Sequence, residues 1–278
     1  MRSTTRRSAD AENKRRDKIQ LWTGIVLIGT VVLVAVSLLV YKFYFLTPPL
    51  PKDPETNCAI EGVLASHSVF LIDTTDKLSE AQVKQISANV EKIAAQLGEE
   101  DKISLHLLED NERQPLRPLN ASCGFHKGNR YTESVKQLEQ KRIEKLVKPL
   151  QTSLANLLSA SPGTQSPIFE AITKIAEGSD FSSKIPVRRL IIYSDLLQHS
   201  SLFSDYAQQG RKNKREKVLK AIAESNVFSN RPDFGSTELT VYYISRDTKP
   251  RIQDASHVKL WEEILAKLGA QKVAFIKL

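Results

Sequence analysis

The spacing of hydrophobic positions changes several times along this 278-residue chain, and each change marks a part. Residues 21–41 carry no charge and are mostly Val, Leu, Ile and Ala. As a helix, this run spans roughly 31 Å, the thickness of a bilayer's hydrocarbon core. Trp22 at one end, and Tyr41, Phe43, Tyr44 and Phe45 at the other, suit the aromatic belts of a membrane interface. A cleaved secretory signal has a shorter apolar core that ends in small residues, whereas this run ends in aromatic ones. The pattern therefore predicts a retained transmembrane helix with interfacial flanks over 19–46. A basic tail at 1–18 precedes it. A stiff proline-rich linker and lead-in over 47–65 follows, with prolines at 48, 49, 51 and 54.

Strand and helix periods then alternate. Residues 67–73 read as a buried strand. Residues 79–97 read as an amphipathic helix, with Val83, Ile86, Val90, Ile93 and Leu97 three and four apart, Ser79 as N-cap and Gly98 as stop. A strand at 102–108 leads into a loop-rich region at 109–130. Within that region residues 115–120 could form a short strand, at a sheet edge because prolines cannot donate to a central ladder. Helical spacing over 132–158 should break or kink near Pro149. A loop at 161–167, a helix from 168, a strand at 187–193, a basic helix at 214–225 and a strand at 238–244 come next. A helix at 255–268, stopped by Gly269, and a strand at 272–276 end the chain. Such alternation predicts parallel crossovers, hence one α/β domain over 66–278, a Rossmann-like three-layer (αβα), mostly parallel sheet.

Charge adds topology. The formal net charge is +8, but residues 1–18 hold seven basic and three acidic side chains. Residues 47–278 hold 32 basic and 29 acidic ones, an ordinary balance that gives no reason to expect a nucleic-acid partner. The basic tail suits anionic headgroups and, by the positive-inside rule, a cytoplasmic N-terminus. The α/β domain is then expected outside the inner (plasma) membrane, in a bacterial periplasm. Cys58 and Cys123 both fall in the exported part, where an oxidising compartment favours a disulfide; two free or buried thiols are the alternative. With no CxxC or His/Cys cluster, a zinc site is not expected.

Candidate chemistry lies at strand ends. Asp73 and Asp195 each follow a predicted core strand, Thr75 stands beside the first, and Ser166 lies in a loop directly before a helix. Open α/β sheets bind ligands just beyond the carboxyl ends of their strands. Four hard oxygen donors brought there from three loops would suit Mg2+ or Mn2+, with waters completing the shell. Asx-turns at the strand ends are the plainer explanation of the two aspartates.

The order of these segments resembles the von Willebrand factor A (vWA) family, whose metal-ion-dependent adhesion site combines D-x-S-x-S, a later Thr and a later Asp. Phe70-Leu71-Ile72-Asp73-Thr74-Thr75-Asp76-Lys77 matches the first motif at Asp73 and, with Thr for Ser, at Thr75. Gln165-Ser166-Pro167-Ile168 is similar to the threonine loop, with Ser166 at the Thr position. Leu190-Ile191-Ile192-Tyr193-Ser194-Asp195 resembles the last motif, with Leu196 where the family has Gly. The resemblance implies that Asp73, Thr75, Ser166 and Asp195 are the metal ligands. Lys77 replaces the family's second Ser, and three outcomes stay open: it repels the ion, swings into solvent, or pairs with Asp73 or Asp195 in the ion's place.

The resemblance implies a non-enzymatic, membrane-anchored module that grips a protein partner within an envelope complex. The alternatives are a metal-dependent phosphohydrolase, with Asp73 as nucleophile or ligand and Lys77 as phosphate clamp, and a structural scaffold with a dead site. The missing second Asp of D-x-D, and the lack of P-loop, GxSxG or GxGxxG motifs, count against an enzyme.

Overall fold

The structure, a computed structural model, describes residues 4–45, 50–108, 110, 112, 114–126, 134–159, 162–207, 213–225, 234–246 and 252–278. The expected spacer at 47–49, the start of the third helical pattern at 132–133 and residue 161 of the following loop lie outside these. The chain forms two compact units, Met1–Leu50 and Pro51–Leu278. The first is a helix, α1 (Thr4–Phe45), whose stretch Lys18–Phe43 is long and apolar enough to cross a membrane. The large apolar side chains of that stretch, from Ile19 to Phe43, are exposed.

The second unit is an α/β domain built on a six-stranded sheet. Its strands are β1 (Ser66–Asp73), β2 (Asp101–Leu108), β3 (Asn120–Cys123), β4 (Val187–Ser194), β5 (Thr237–Tyr243) and β6 (Lys272–Lys277). They lie in the order β3-β2-β1-β4-β5-β6, all parallel except β3, which runs antiparallel to β2. Every residue of β1 is buried, as fits a central strand covered on both faces. Alternate side chains enter opposite cores. Val69 and Leu71 join Phe169 and Ile172 of α5 (Ile168–Glu177), Val218 and Ile222 of α6 (Lys214–Glu224), and Trp261 and Ile264 of α7 (Ala255–Lys267). Phe70 and Ile72 join Val83, Ile86 and Val90 of α2 (Glu80–Gln96) and Leu150 and Leu154 of α4 (Lys148–Ala155). The three-layer expectation holds.

Two local differences have physical causes. The short edge strand falls at Asn120–Cys123, not 115–120: pairing with β2 begins only past Pro118, where Leu119 N donates to Leu105 O at 2.7 Å. The helical pattern around Pro149 does not break. Between α3 (Val135–Arg142) and α4, the turn Ile143–Val147 is widened, and Lys148 N donates to Ile143 O. The wide turn makes room for a ring that would otherwise strike the carbonyl one turn earlier.

Cys58 and Cys123 are disulfide-bonded, with Cα atoms 4.9 Å apart, and fasten the lead-in segment to β3. Ser79 caps α2 as expected: its hydroxyl accepts from Gln82 N, while Gln82 Oε1 accepts from Ser79 N. Gly269, in the left-handed region at φ 93°, ends α7.

Candidate functional site

The strand order fixes where a site can form. The chain winds outward from β1 to β3, then returns to the other side of β1 for β4 to β6, so the order reverses between β1 and β4. A crevice opens at such a switch point, beyond the carboxyl ends of the strands. Ile72 is level with Tyr193, so Asp73 stands beside Ser194 and Asp195 one step beyond.

Loops complete the cluster. Gly163 N donates to Thr75 O at 3.0 Å, and Ser166 exchanges two backbone hydrogen bonds with His199, at 2.8 and 3.0 Å. The loop before α5 is thereby fixed against both the β1 tip and the segment after β4. Phe169 N, at the start of α5, donates to Gln198 Oε1 at 2.9 Å.

Asp73, Thr75 and Ser166 meet in one hydrogen-bonded cluster. Asp73 Oδ1 accepts from Thr75 N (3.1 Å) and Thr75 Oγ1 (2.6 Å); Oδ2 accepts from Ser194 Oγ (2.6 Å) and Ser166 Oγ (3.5 Å). Thr75 Oγ1 and Ser166 Oγ are 3.2 Å apart. Burial raises the Asp73 carboxyl above the ordinary carboxylate range, and the bonds from Ser194 and Thr75 offset part of the rise. Burial, then the neighbouring Asp73 charge, pushes Asp195 up to about 7. Asp195 Oδ1 accepts from Leu197 N at 2.9 Å.

Lys77 is exposed, and its backbone carbonyl, not its ammonium, takes part in the site. The cation there is Arg246, two residues past Ile244. Its Nε lies 3.0 Å from Asp195 Oδ2 and 3.8 Å from Asp76 Oδ2, and a terminal guanidinium nitrogen donates to Lys77 O at 3.1 Å. The Asp195 side chain is only 4% exposed and that of Arg246 22%. Gln253 holds both in place: its Oε1 accepts from Arg246 N (2.6 Å), while its Nε2 donates to Asp195 O (2.9 Å) and Ile244 O (2.8 Å).

Sequence reading missed Ser194, Arg246 and Gln253. The signal for Arg246 was present, since it follows a strand tip as Asp73 and Asp195 do. Tyr206, 46% exposed, belongs to the same rim; burial and then the Asp195 and Asp76 charges push its phenol up to about 12.

Oxygen donors of the right hardness for Mg2+ or Mn2+ are therefore together, but a guanidinium already stands on one of them. An ion seated about 2.1 Å from Asp195 Oδ2 would lie within roughly 5 Å of Arg246 Nε, given the 3.0 Å contact. At a surface-like effective dielectric, the repulsion between that dication and the guanidinium is roughly 7 kcal/mol. Millimolar binding corresponds to only about 4 kcal/mol. With Arg246 in this position the residues do not fit a resident dication. Among the described residues, no three His, Cys, Asp or Glu side chains gather as a metal-binding group. Compared with models of known protein families and with curated proteins, the chain matches none.

Proposed function

We propose that this chain is a membrane-tethered protein-interaction module of von Willebrand factor A type, with its partner-facing surface at the carboxyl edge of the sheet. The observation that carries the reading is the meeting of Asp73, Thr75 and Ser166 in one hydrogen-bonded cluster, with Asp195 beside it, at the switch point between β1 and β4. Exposed Lys77 and Tyr206 rim this cluster and offer a positive charge and an aromatic face. The α1 helix and its basic tail support a cytoplasmic N-terminus with the domain exported. The Cys58–Cys123 disulfide supports an oxidising compartment such as the periplasm. The phosphohydrolase reading gains nothing from the site, because its nucleophile, Asp73, is buried and accepts four hydrogen bonds.

Two measurements test the proposal in cells. A phosphatase reporter fused after Leu278 is expected to be active only if exported; activity of a cytosolic reporter there would overturn the topology. Photo-crosslinking residues placed at Lys77 and Tyr206 are expected to form discrete adducts, whereas one at Lys184, at the opposite edge before β4, is not. Equal labelling at both edges, or none at the rim, would sink the assignment of the binding surface.

A further inference from the structure

We infer that Arg246 is the built-in cation of this site: it takes the place that a divalent ion would hold, so the carboxyl edge is assembled without metal. This deepens the reading above and rests on the same cluster being the partner-facing one.

Arg246 does more than neutralise Asp195. Its guanidinium reaches the tips of two strands at once, Asp195 after β4 and both Asp76 and the Lys77 carbonyl after β1, while its own backbone continues from β5. A divalent ion in such a crevice would draw oxygens from the same loops together. The arginine fork supplies several donors in fixed directions and holds its charge at any working pH. Gln253 makes the arrangement built, not incidental: one side-chain amide binds Arg246 N, Asp195 O and Ile244 O, fixing the backbone of both partners. Lys77, exposed, leaves that role to Arg246.

Removing the guanidinium should uncover the oxygen set beneath it. In Arg246→Gln, the side chain keeps much of its length but loses its charge, so Asp195 Oδ2 loses its guanidinium and the repulsion that keeps a dication from Asp195 and the neighbouring Asp73, Thr75 and Ser166 oxygens is removed. Full-length protein in detergent is titrated with Mn2+, followed by the loss of the free-ion paramagnetic resonance signal and by the thermal midpoint. Wild type is expected to leave both unchanged at millimolar Mn2+. Arg246→Gln is expected to bind Mn2+ at least about tenfold more tightly, a small part of the repulsion given above, and to gain a metal-dependent rise in midpoint. Arg246→Met, with a straight apolar stem, serves as a second variant should the glutamine form fail to fold. Millimolar binding by wild type would overturn the inference. So would folded variants that ignore Mn2+ as wild type does. Cross-linking from the rim does not depend on which cation holds the site, so this inference and the proposed binding surface can fail separately.

Discussion

Arg246 Nε lies 3.0 Å from Asp195 Oδ2, joining the segment after β5 to the tip of β4 across a nearly buried carboxylate. The pair is unequal. Arg246 can turn to water, whereas Asp195 is enclosed beside Asp73 and is already raised to about 7 with the guanidinium in place.

From that asymmetry comes a pH-dependent stability difference. A carboxyl whose folded pKa is raised holds its proton more tightly in the folded state, so its contribution worsens as pH rises above the unfolded value, until the folded value is passed. Taking away Arg246 removes a charge that lowers the Asp195 pKa, and so extends that window upward. Arg246→Gln is therefore expected to lose little against wild type near pH 5 and on the order of 1–3 kcal/mol near pH 8.5. Denaturant unfolding of both proteins across that range checks it. A gap that stays constant with pH would mean that Asp195 is not the group left unpaired.

Leu196 makes a second prediction. It sits in the left-handed region at φ 58°, which is uncommon for a bulky residue, with its side chain fully buried. Its surroundings hold it there: Leu196 N donates to Ser194 Oγ (2.8 Å), and its carbonyl accepts from His257 Nε2 (3.0 Å) and Trp261 Nε1 (2.9 Å). Truncation to Ala should lower stability by about 2–5 kcal/mol through the lost packing. Gly in place of Ala usually weakens a fold by a further 0.5–1 kcal/mol or so. Here relief of the left-handed backbone, worth about 1–2 kcal/mol, should cancel or reverse that step. Leu196→Gly is expected to equal or exceed Leu196→Ala in unfolding free energy; a clear loss relative to Ala would refute the strain.

The sheet was legible in the sequence because buried parallel strands read as continuous apolar runs closed by polar residues, as Val69-Phe70-Leu71-Ile72-Asp73 does. Asp73, Thr75 and Ser166 were legible as candidates because each lies at or just beyond the end of a strand or directly before a helix. Arg246 also follows a strand tip, but nothing in its own segment marks it as the partner of Asp195. Spacing along one segment says nothing about a residue 51 positions beyond Asp195 that a parallel neighbour brings alongside. Ser194 was hidden by its place inside a strand, where a hydroxyl reads as neutral filler. The true start of β3 depended on where two prolines stop blocking the ladder, a matter of register that composition does not carry.

His67 and His106, on β1 and β2, make the next prediction. His67 Nδ1 donates to Asp180 O at 2.6 Å and Nε2 accepts from Ser104 Oγ at 2.7 Å, an arrangement that suits the neutral ring. Burial is the main cause that holds both histidines down to about 4, with Asp180 opposing it and Lys102 adding to it. With a folded pKa below the unfolded 6.5, each contributes stability that is complete above about pH 6.5 and fades as pH falls toward 4. The slope is about 1.4 kcal/mol per pH unit for each histidine. Asp195 titrates in the opposite sense over much of this range, so wild type alone is a poor reporter. His67→Gln, which cannot charge, should be less stable than wild type near neutrality and lose that deficit as pH falls to about 4.5. Parallel unfolding curves across that range would show that His67 does not resist protonation.

The disulfide offers the last prediction. Cys58–Cys123 closes a separation of 65 residues and fastens the lead-in segment to the four-residue edge strand β3. Hydrogen bonds already tie the same pieces: Cys123 N donates to Thr56 O (2.7 Å) and Asn57 Nδ2 to Gly124 O (2.8 Å). These bonds hold the folded arrangement in either redox state. The crosslink acts mainly on the unfolded chain, by restricting a loop of that length, an effect of about 4 kcal/mol. Cys58→Ala/Cys123→Ala is therefore expected to fold with β3 in place and to unfold at markedly lower denaturant concentration, with a difference approaching that value. Wild type treated with reductant should match the variant. Because the crosslink spans α2, β1 and β2, the loss should appear as a shift of the whole domain's transition. Faster amide exchange confined to residues 120–123, with an unchanged midpoint, would mean that the bridge acts only as a local clasp on the sheet edge.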